Sequence, residues 1–231
     1  MKDRLGSQTL ESMSQAVWYN RWTLEKFAKF LGGEILEVGC GIGNFTKYLT
    51  KYGKLTAIDI DRDYIKEAKE QISEPVEVGW GDIEKGQYFF NRKSFDTVVC
   101  LNVLEHVEDD LRVLKNIQKL LKKDGILVLL VPAHKVLYNL IDESIGHLRR
   151  YEKNNLKQLL KESNFEIDKI INLNFLGGVG WFIAGKLLKD TEVRENKIKI
   201  FNFFAPFFFF LENIFKPPFG TSILVIAKKR K

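Results

Sequence analysis

The chain has 231 residues, of which 45% are hydrophobic and 29% are charged, and its formal net charge at pH 7 is +6. This length and composition are typical of one globular domain and argue against a second domain with a core of its own. The charge suits an anionic substrate, a nucleic acid or an anionic membrane surface, and a solvated lysine-rich surface would explain it as well.

Secondary structure is predicted from periodicity, in chain order. Apolar and aromatic residues recur at helical spacing from Thr9 to Leu31, with no apolar signal-like run before them. Short β-rich runs then alternate with amphipathic helices, a pattern typical of a parallel sheet covered by helices on both faces. The predicted strands are Glu34–Val38, Lys54–Ile58, Pro75–Val78, Phe95–Cys100, Gly125–Val131, Phe165–Leu173 and Ser222–Ala227, and the helices are Asn44–Lys51, Arg62–Ile72, Asp109–Lys122 and Lys153–Glu162.

The first strand runs into a turn with the spacing G-x-G-x-G, formed by Gly39, Gly41 and Gly43, and a helix follows at once. Glycines there allow a ligand to lie against the main chain at the carboxyl end of the strand. The G-x-G-x-x-G pattern of dinucleotide sites would need a glycine at the position of Asn44. The turn therefore predicts a nucleotide-like cofactor other than NAD, although glycine clusters are also common in purely structural turns.

Two acidic residues follow later strands. Asp59 comes about 20 residues after the glycines, where a carboxylate accepts hydrogen bonds from ribose hydroxyls. The alternative role, capping the next helix, fits Asp61 more naturally. Asp82 is placed to meet an adenine amino group, or it serves as an ordinary turn residue.

Five segments resemble, in order, the motifs of the class I S-adenosylmethionine-dependent methyltransferases: Leu36–Gly43, Ala57–Ile60, Gly81–Ile83, Phe95–His106 and Leu120–Leu127. The resemblance covers roughly residues 34–131. It implies a Rossmann-like, doubly wound seven-stranded sheet in the order 3-2-1-4-5-7-6, with strand seven antiparallel. It also implies one methyltransferase domain over 1–231, with an N-terminal helical segment (1–32), a core (33–173 and 221–231) and a helical insertion or cover (174–220).

The same resemblance implies the cofactor contacts for S-adenosylmethionine. Glu37 would hold the amino group, directly or through water, and the turn with its three glycines would line the methionine portion. Asp59 would hold the ribose, Asp82 the adenine, and Asn102 would lie beside the reactive end. The remaining predicted cofactor contacts are Cys40, which only needs to be small, Ile60 and Ile83. The cysteines, Cys40 and Cys100, form no C-x-x-C pair, so we expect neither a disulfide nor a metal site.

The acceptor side is predicted from the segment after the fifth strand. His147, Arg149 and Arg150 crowd cationic groups next to Gly146, and arginine forks suit carboxylates and phosphates. The alternative is a surface loop whose arginines pair with Asp142 and Glu143. His106, His147 and Arg150 are the predicted catalytic residues, since a hydroxyl acceptor needs a general base. His106 could instead cap the helix before Asp109, and His134 is a third histidine that could act as the base.

The insertion contains a Phe-rich run, Phe201–Phe219, with nine of the chain's 18 phenylalanines. The run is too short for a membrane-spanning helix and is interrupted by Pro206, which would kink or divide a helix. It is predicted to be either a helical cover packed on the domain or a surface that meets membrane or a lipid-like acceptor. Three glycines predict a turn before a helix over Trp181–Leu188: Gly177, Gly178 and Gly180.

These features together predict an enzyme that transfers a methyl group to an anionic or partly hydrophobic small-molecule or lipid-linked acceptor, on oxygen or a carboxyl group. The His147–Tyr151 segment resembles a loop of a bacterial subgroup associated with surface-sugar and lipid-linked assembly. We expect a cytoplasmic protein, peripheral to the inner face of the membrane if the Phe-rich run meets lipid. The alternatives are an RNA-modifying methyltransferase and a non-catalytic cofactor-binding partner subunit. The N-P-P-Y motif of base-amino methylation is absent, which disfavours nucleic acid, and the intact glycine turn disfavours a non-catalytic subunit.

Overall fold

An eight-stranded mixed sheet forms the centre of the protein, as seen in a computed structural model that describes residues 10, 11, 13–91, 93–183, 207–212, 214 and 217–230. The strands are β1 Glu34–Val38, β2 Lys54–Asp59, β3 Glu77–Asp82, β4 Gln87–Tyr88, β5 Phe95–Leu101, β6 Leu121–Pro132, β7 Phe165–Leu173 and β8 Ser222–Lys229. Their order across the sheet is β4-β3-β2-β1-β5-β6-β8-β7. Three of the described pairings are antiparallel, namely β3 with β4, β6 with β8 and β7 with β8, and the other four are parallel.

The expected α/β Rossmann-like fold is confirmed, but the expected count of seven strands is wrong. The additional strand is the two-residue β4, which pairs antiparallel with β3 at the edge of the sheet. Two residues are too few to show a strand periodicity, so the sequence did not indicate it. The other seven strands follow the expected order, and β8 is antiparallel to both of its neighbours.

Seven α-helices have both ends among the described residues: α1 Val17–Phe27, α2 Thr46–Leu49, α3 Arg62–Gln71, α4 Asp110–Leu120, α5 Leu140–Ser144, α6 Lys153–Glu162 and α7 Phe175–Phe182. Asp61 caps α3 by accepting hydrogen bonds from the N–H groups of Asp63 and Tyr64, as predicted. Asp109, and not His106, caps α4. The helix predicted over Thr9–Leu31 is interrupted at Gln15–Ala16 and ends in a 3₁₀ turn.

Apolar side chains cover the sheet on both faces, which explains why its strands are nearly continuous hydrophobic runs. On one face, α4 and α6 bury residues such as Val113, Ile117 and Leu156. On the other face, α1 buries Trp22 and Phe27. The predicted cofactor residues lie at the carboxyl ends of the parallel strands, between these layers.

The insertion begins with α7, directly after β7. The prediction that its glycines form a turn before the helix is wrong, because Gly177, Gly178 and Gly180 lie inside α7. The turn is made instead by Asn174, which has a left-handed backbone (φ 63°) and caps α7 through the N–H of Gly177. The predicted helical residues 184–188 and the kink at Pro206 lie outside the described residues.

The second described part of the insertion, residues 207–212 and 214, is helical. Phe209 is buried, and its ring stacks on the indole of Trp22 with 4.2 Å between ring centroids. Phe207 and Phe210 are 60% and 61% exposed. This short helix therefore covers the core with one side and presents phenylalanines to solvent with the other. None of the described helices is long and apolar enough to cross a bilayer.

Candidate active site

The glycine turn lies between β1 and α2 and is locked onto the end of β2. The N–H groups of Gly39 and Cys40 both donate to the carbonyl of Ile58, at 2.8 and 3.1 Å. Gly39 has φ 73°, and a Cβ there would overlap the Cγ2 methyl of Val103. Only glycine meets both constraints, so this position brings the turn against the segment that follows β5.

Asp59 holds the same turn from the other side. One carboxylate oxygen accepts from the N–H of Gly41 at 2.7 Å, and the other accepts from the N–H of Asp61 at 2.9 Å. Burial raises the pKa of Asp59, and the hydrogen bonds from Asp61 and Gly41 oppose this effect. Each oxygen keeps a lone pair, so the carboxylate can accept ribose hydroxyls while it fixes the turn.

Glu37 is the most informative cofactor residue. It is buried in β1, and its Oε2 has no hydrogen-bond partner among the described residues. Burial raises the pKa of Glu37 to about 8, the Thr46 hydroxyl lowers it, and the charge of Asp59 raises it further. An unpartnered buried carboxyl oxygen next to a glycine turn fits the ammonium group of S-adenosylmethionine, which would supply the missing donor.

The predicted adenine end lies at the β3–β4 hairpin. Asp82 is the last residue of β3 instead of a loop residue, because the strand extends four residues beyond its predicted end at Val78. Its carboxylate accepts from the N–H of Lys85 at 2.9 Å and pairs with the Lys85 ammonium at 3.2 Å. Asp82 therefore does stabilise a turn, as the alternative interpretation had it. Ile83 is buried and Ile60 is 62% exposed, so Ile60 offers the larger side-chain surface for contact with a flat ring.

Asn102 is exposed directly after β5 and has φ 54°, a left-handed conformation that asparagine adopts more readily than most residues. Its backbone N–H donates to Leu130 of β6. Both cysteines are buried, and burial raises the pKa of the Cys40 and Cys100 thiols. Neither is a nucleophile at neutral pH, which agrees with their expected packing role.

A second group of polar side chains lies where the loop over Gly146–Tyr151 meets the 3₁₀ turn Leu104–His106. The loop turns at Gly146 (φ 78°), as predicted. The Nδ1 atom of His147 lies 2.8 Å from Asp142 Oδ1, and its Nε2 atom lies 3.7 Å from Glu105 Oε1. Asp142 and Glu105 are both fully buried. A histidine between two buried carboxyl groups is a proton-holding arrangement.

Glu105 resembles Glu37 in its surroundings. Neither of its carboxyl oxygens has a hydrogen-bond partner among the described residues. Burial raises the pKa of Glu105 to about 7, although the nearby His147 and Arg150 lower it. Glu105, His106 and His147 bring side-chain N and O atoms within 4.8 Å of one another, a spacing that would suit the ligands of a metal ion.

His106 is exposed and lies against His147, with 4.8 Å between ring centroids and the planes nearly perpendicular. Its Nδ1 atom is 3.2 Å from the carbonyl oxygen of Gly146. The structure therefore brings two of the predicted catalytic residues, His106 and His147, into contact at the carboxyl edge of the sheet. His134 lies apart from them, beside Glu152 and Phe219.

Arg150 is only 3% exposed, unlike a free anion-binding fork. Its Nε donates to Asp142 at 2.9 Å and its Nη1 donates to the carbonyl of Ala133 at 3.1 Å. The surface-loop alternative is therefore correct for the pairing of Arg150 with Asp142, whereas Arg149 pairs with Asp110 and not with Glu143. Arg150 and His147 are therefore linked through the Asp142 carboxylate. Direct contact between Arg150 and an acceptor stays a prediction.

Sequence reasoning missed three residues of this second group. Asp142 was considered only as a surface ion-pair partner, Glu105 was part of a motif with no role of its own, and Trp181 was treated as the start of a helix. Trp181 donates its indole N–H to Asp142 at 3.3 Å. The sequence offered one signal for this group, the acidic residue Glu105 next to His106. Asp142 and Trp181 follow about 40 and 80 positions later, and no periodicity relates residues so far apart.

The doubly wound sheet, the glycine turn with Asp59 and the unpartnered Glu37 define a Rossmann-like S-adenosylmethionine-dependent methyltransferase. Comparison with known proteins identifies the family. A family model described as "Methyltransferase domain" matches residues 17–170, and the chain belongs to that family.

Two curated relatives and one solved structure illustrate the similarity. Nodulation protein S of Azorhizobium caulinodans is 31% identical over 120 residues, which are 50% of this chain and 55% of that protein. The mitochondrial ubiquinone biosynthesis O-methyltransferase of Schizosaccharomyces pombe is 32% identical over 161 residues, 61% of this chain and 58% of that protein. The chain thus spans little more than half the length of these relatives.

The solved structure is the N-methyltransferase NodS of Bradyrhizobium japonicum in complex with S-adenosyl-L-homocysteine. It is 16% identical, has a TM-score of 0.58, and covers 91% of this chain and 85% of that one. At this identity the likeness shows the fold. Together with the family match and the cofactor residues above, it agrees with an enzyme that uses S-adenosylmethionine.

Proposed function

We propose that this methyltransferase acts on oxygen, either a hydroxyl or a carboxyl group, of an anionic and partly hydrophobic acceptor, a small molecule or a lipid-linked one. The observation that carries the proposal is the His147–Asp142 contact at 2.8 Å, beside a region rich in exposed apolar residues. A histidine whose Nδ1 faces a buried carboxylate presents Nε2 as a proton acceptor.

The cofactor, when bound, supplies an electrophilic methyl group on a sulfonium that is already a good leaving group. The chain's own contribution is then positioning and proton transfer. Glu37 would hold the ammonium group and Asp59 the ribose, while Asp82, Ile60 and Ile83 would surround the adenine. Such positioning can supply up to about 7–11 kcal/mol of the barrier reduction in well-aligned cases.

For a hydroxyl acceptor, Nε2 of His147 would take the proton of the oxygen that receives the methyl group as that group leaves the sulfonium sulfur. Asp142 stabilises the resulting imidazolium. Glu105 lies 3.7 Å beyond Nε2 and can share that proton, because burial brings its pKa to about 7. His106 would orient the acceptor from the exposed side. A carboxylate acceptor is already ionised and needs no base.

Two helices of the insertion expose apolar side chains that the apolar part of the acceptor would contact. On α7, Val179 and Phe182 are both 40% exposed, and on the second helix Phe207, Phe210 and Ile214 are each more than half exposed. The net charge of +6 favours an anionic partner. We propose that this exposed apolar surface contacts lipid-linked acceptor, and that the protein sits peripherally at the inner face of the membrane.

The test is methyl transfer from labelled S-adenosylmethionine to separated cell fractions: acidic lipids, small acids and RNA. We expect label in an organic-extractable acidic fraction, and base treatment separates the two chemistries because methyl esters release methanol and ethers do not. His147→Gln should abolish transfer to a hydroxyl. His134→Gln, which replaces the histidine that lies apart from His106 and His147, should retain it. Label found in RNA alone would overturn the acceptor proposal.

A further inference from the structure

The insertion helix α7 touches the acid–base group described above through one residue, Trp181. Its indole N–H donates to Oδ2 of Asp142 at 3.3 Å. The other oxygen of that carboxylate, Oδ1, faces Nδ1 of His147 at 2.8 Å and accepts from Nε of Arg150 at 2.9 Å. One side chain of the insertion therefore reaches the carboxylate that orients His147.

The Trp181 indole also contacts Arg150, which donates to the same carboxylate. The guanidinium of Arg150 lies over the Trp181 ring, 5.1 Å from the ring centroid, a cation–π distance. The backbone N–H of Asn139 donates to Oδ2 as well, at 3.1 Å. Asp142 is thus held by donors on both oxygens, and its rotation about the Cβ–Cγ bond is restricted from two directions.

The placement of Trp181 depends on contacts at the start of α7. The N–H groups of Asn174 and Phe175 donate to the carboxylate of Glu212, which belongs to the second described helix of the insertion. Asn174 adds a side-chain cap through Gly177. The two parts of the insertion are therefore tied together at the point where α7 leaves the sheet, which fixes its direction toward Asp142.

From this geometry we infer that Trp181 is a positioning residue for the proposed methyl transfer, which makes the insertion part of the reaction centre. Its N–H directs Oδ2 so that Oδ1 stays in line with Nδ1 of His147. That keeps the proton of the neutral imidazole on Nδ1 and leaves Nε2 as the acceptor. This inference rests on the proposed role of His147.

The test needs no acceptor. The chain contains three histidines and four tryptophans, so spectra of ¹⁵N-labelled protein are simple to assign by single substitutions. We expect His147 to show an Nδ1–H tautomer with a low-field N–H proton. Trp181→Phe should broaden or abolish that signal and raise the share of the Nε2–H tautomer at least severalfold. Phe182→Leu, on the same helix and 40% exposed, should leave it unchanged.

A second variant separates hydrogen bonding from packing. Replacing Trp181 with benzothienylalanine keeps the two-ring shape and removes only the N–H group, and it should reproduce the change seen with phenylalanine. An unchanged His147 spectrum in both variants, with only a lowered melting temperature, would reduce Trp181 to a core residue and overturn the inference. The outcome is independent of the acceptor, because loss of the proposed function would instead show as unaltered methyl transfer by His147→Gln.

Discussion

Asp59→Ala is the sharpest test of the cofactor site. The substitution removes a carboxylate that would accept the ribose hydroxyls, and each charge-assisted hydrogen bond contributes about 1.5–3 kcal/mol. One lost bond corresponds to about a 10-fold to 140-fold weaker affinity, and two lost bonds multiply these factors. The N–H of Gly41, 2.7 Å from Asp59 Oδ2, also loses its partner, so the turn should loosen as well.

Calorimetric titration with S-adenosyl-L-homocysteine measures the effect directly. Asp59→Asn keeps one acceptor oxygen and the side-chain shape, so its affinity should fall between those of wild type and Asp59→Ala. Asp61→Ala is the matched control, because Asp61 caps α3 and its loss should cost about 1 kcal/mol of stability without affecting binding. NAD should not bind any of these proteins. A folded Asp59→Ala protein that binds within twofold of wild type would refute the assignment.

Three further predictions concern two buried charged residues and the phenylalanines of the insertion. Because burial raises the pKa of Glu37 to about 8 from 4.5, the folded chain binds the extra proton, and the free energy of unfolding should fall as pH rises between these values. Urea unfolding at several pH values should show that slope, and Glu37→Gln should make it shallower; below about pH 7 part of the slope should remain, because burial also raises the pKa of Glu105. Arg150→Ala removes a charged partner of the buried Asp142 carboxylate and should lower the free energy of unfolding by about 3–5 kcal/mol in the same assay. A decrease of less than about 1 kcal/mol would contradict the buried pair. Phe209→Ala should cost about 3–5 kcal/mol, whereas the double variant Phe207→Glu/Phe210→Glu should keep its melting temperature and lose sedimentation with anionic vesicles. Equal sedimentation of that variant and wild type would remove the membrane contact.

The cofactor half of the site was predictable because its determinants are local. Gly39, Gly41 and Gly43 lie within five positions, and Asp59 ends the next strand along the chain. Parallel strands place their carboxyl ends at one edge, so a strand pattern with acids after it already indicates where the ligand lies. The turn chemistry and the strand ends therefore sufficed for the fold class, and they supply the prediction of where the cofactor lies.

The acceptor half depended on contacts between distant segments. His147 and Arg150 were recognised as residue types, but their partner Asp142 is fully buried and is held by distant residues, with Trp181 donating to it from α7 and Arg150 joining it to the carbonyl of Ala133 after β6. The burial of Arg150 was not predictable for this reason, since a sequence shows the charge and not the Asp142 carboxylate and the Ala133 carbonyl that accept its hydrogen bonds. The helix through Gly177–Gly180 was missed because glycine propensity opposes a helix, and the cap by Asn174 together with Glu212 overrides it.

Glu37 and Glu105 show the same physical principle at two places in the site. Each is a buried carboxyl group next to the carboxyl edge of the central strands, and each has an oxygen without a hydrogen-bond partner among the described residues. Burial without a partner destabilises the ionised form and raises both pKa values toward neutrality. A chain selected for stability alone would place apolar residues at both positions. We propose that the missing partner of Glu37 is the cofactor's ammonium group, and that the missing partner of Glu105 is the proton that His147 would receive during transfer. On this proposal the two unpartnered acids mark the two ends of one reaction path, from the methyl donor to the proton acceptor.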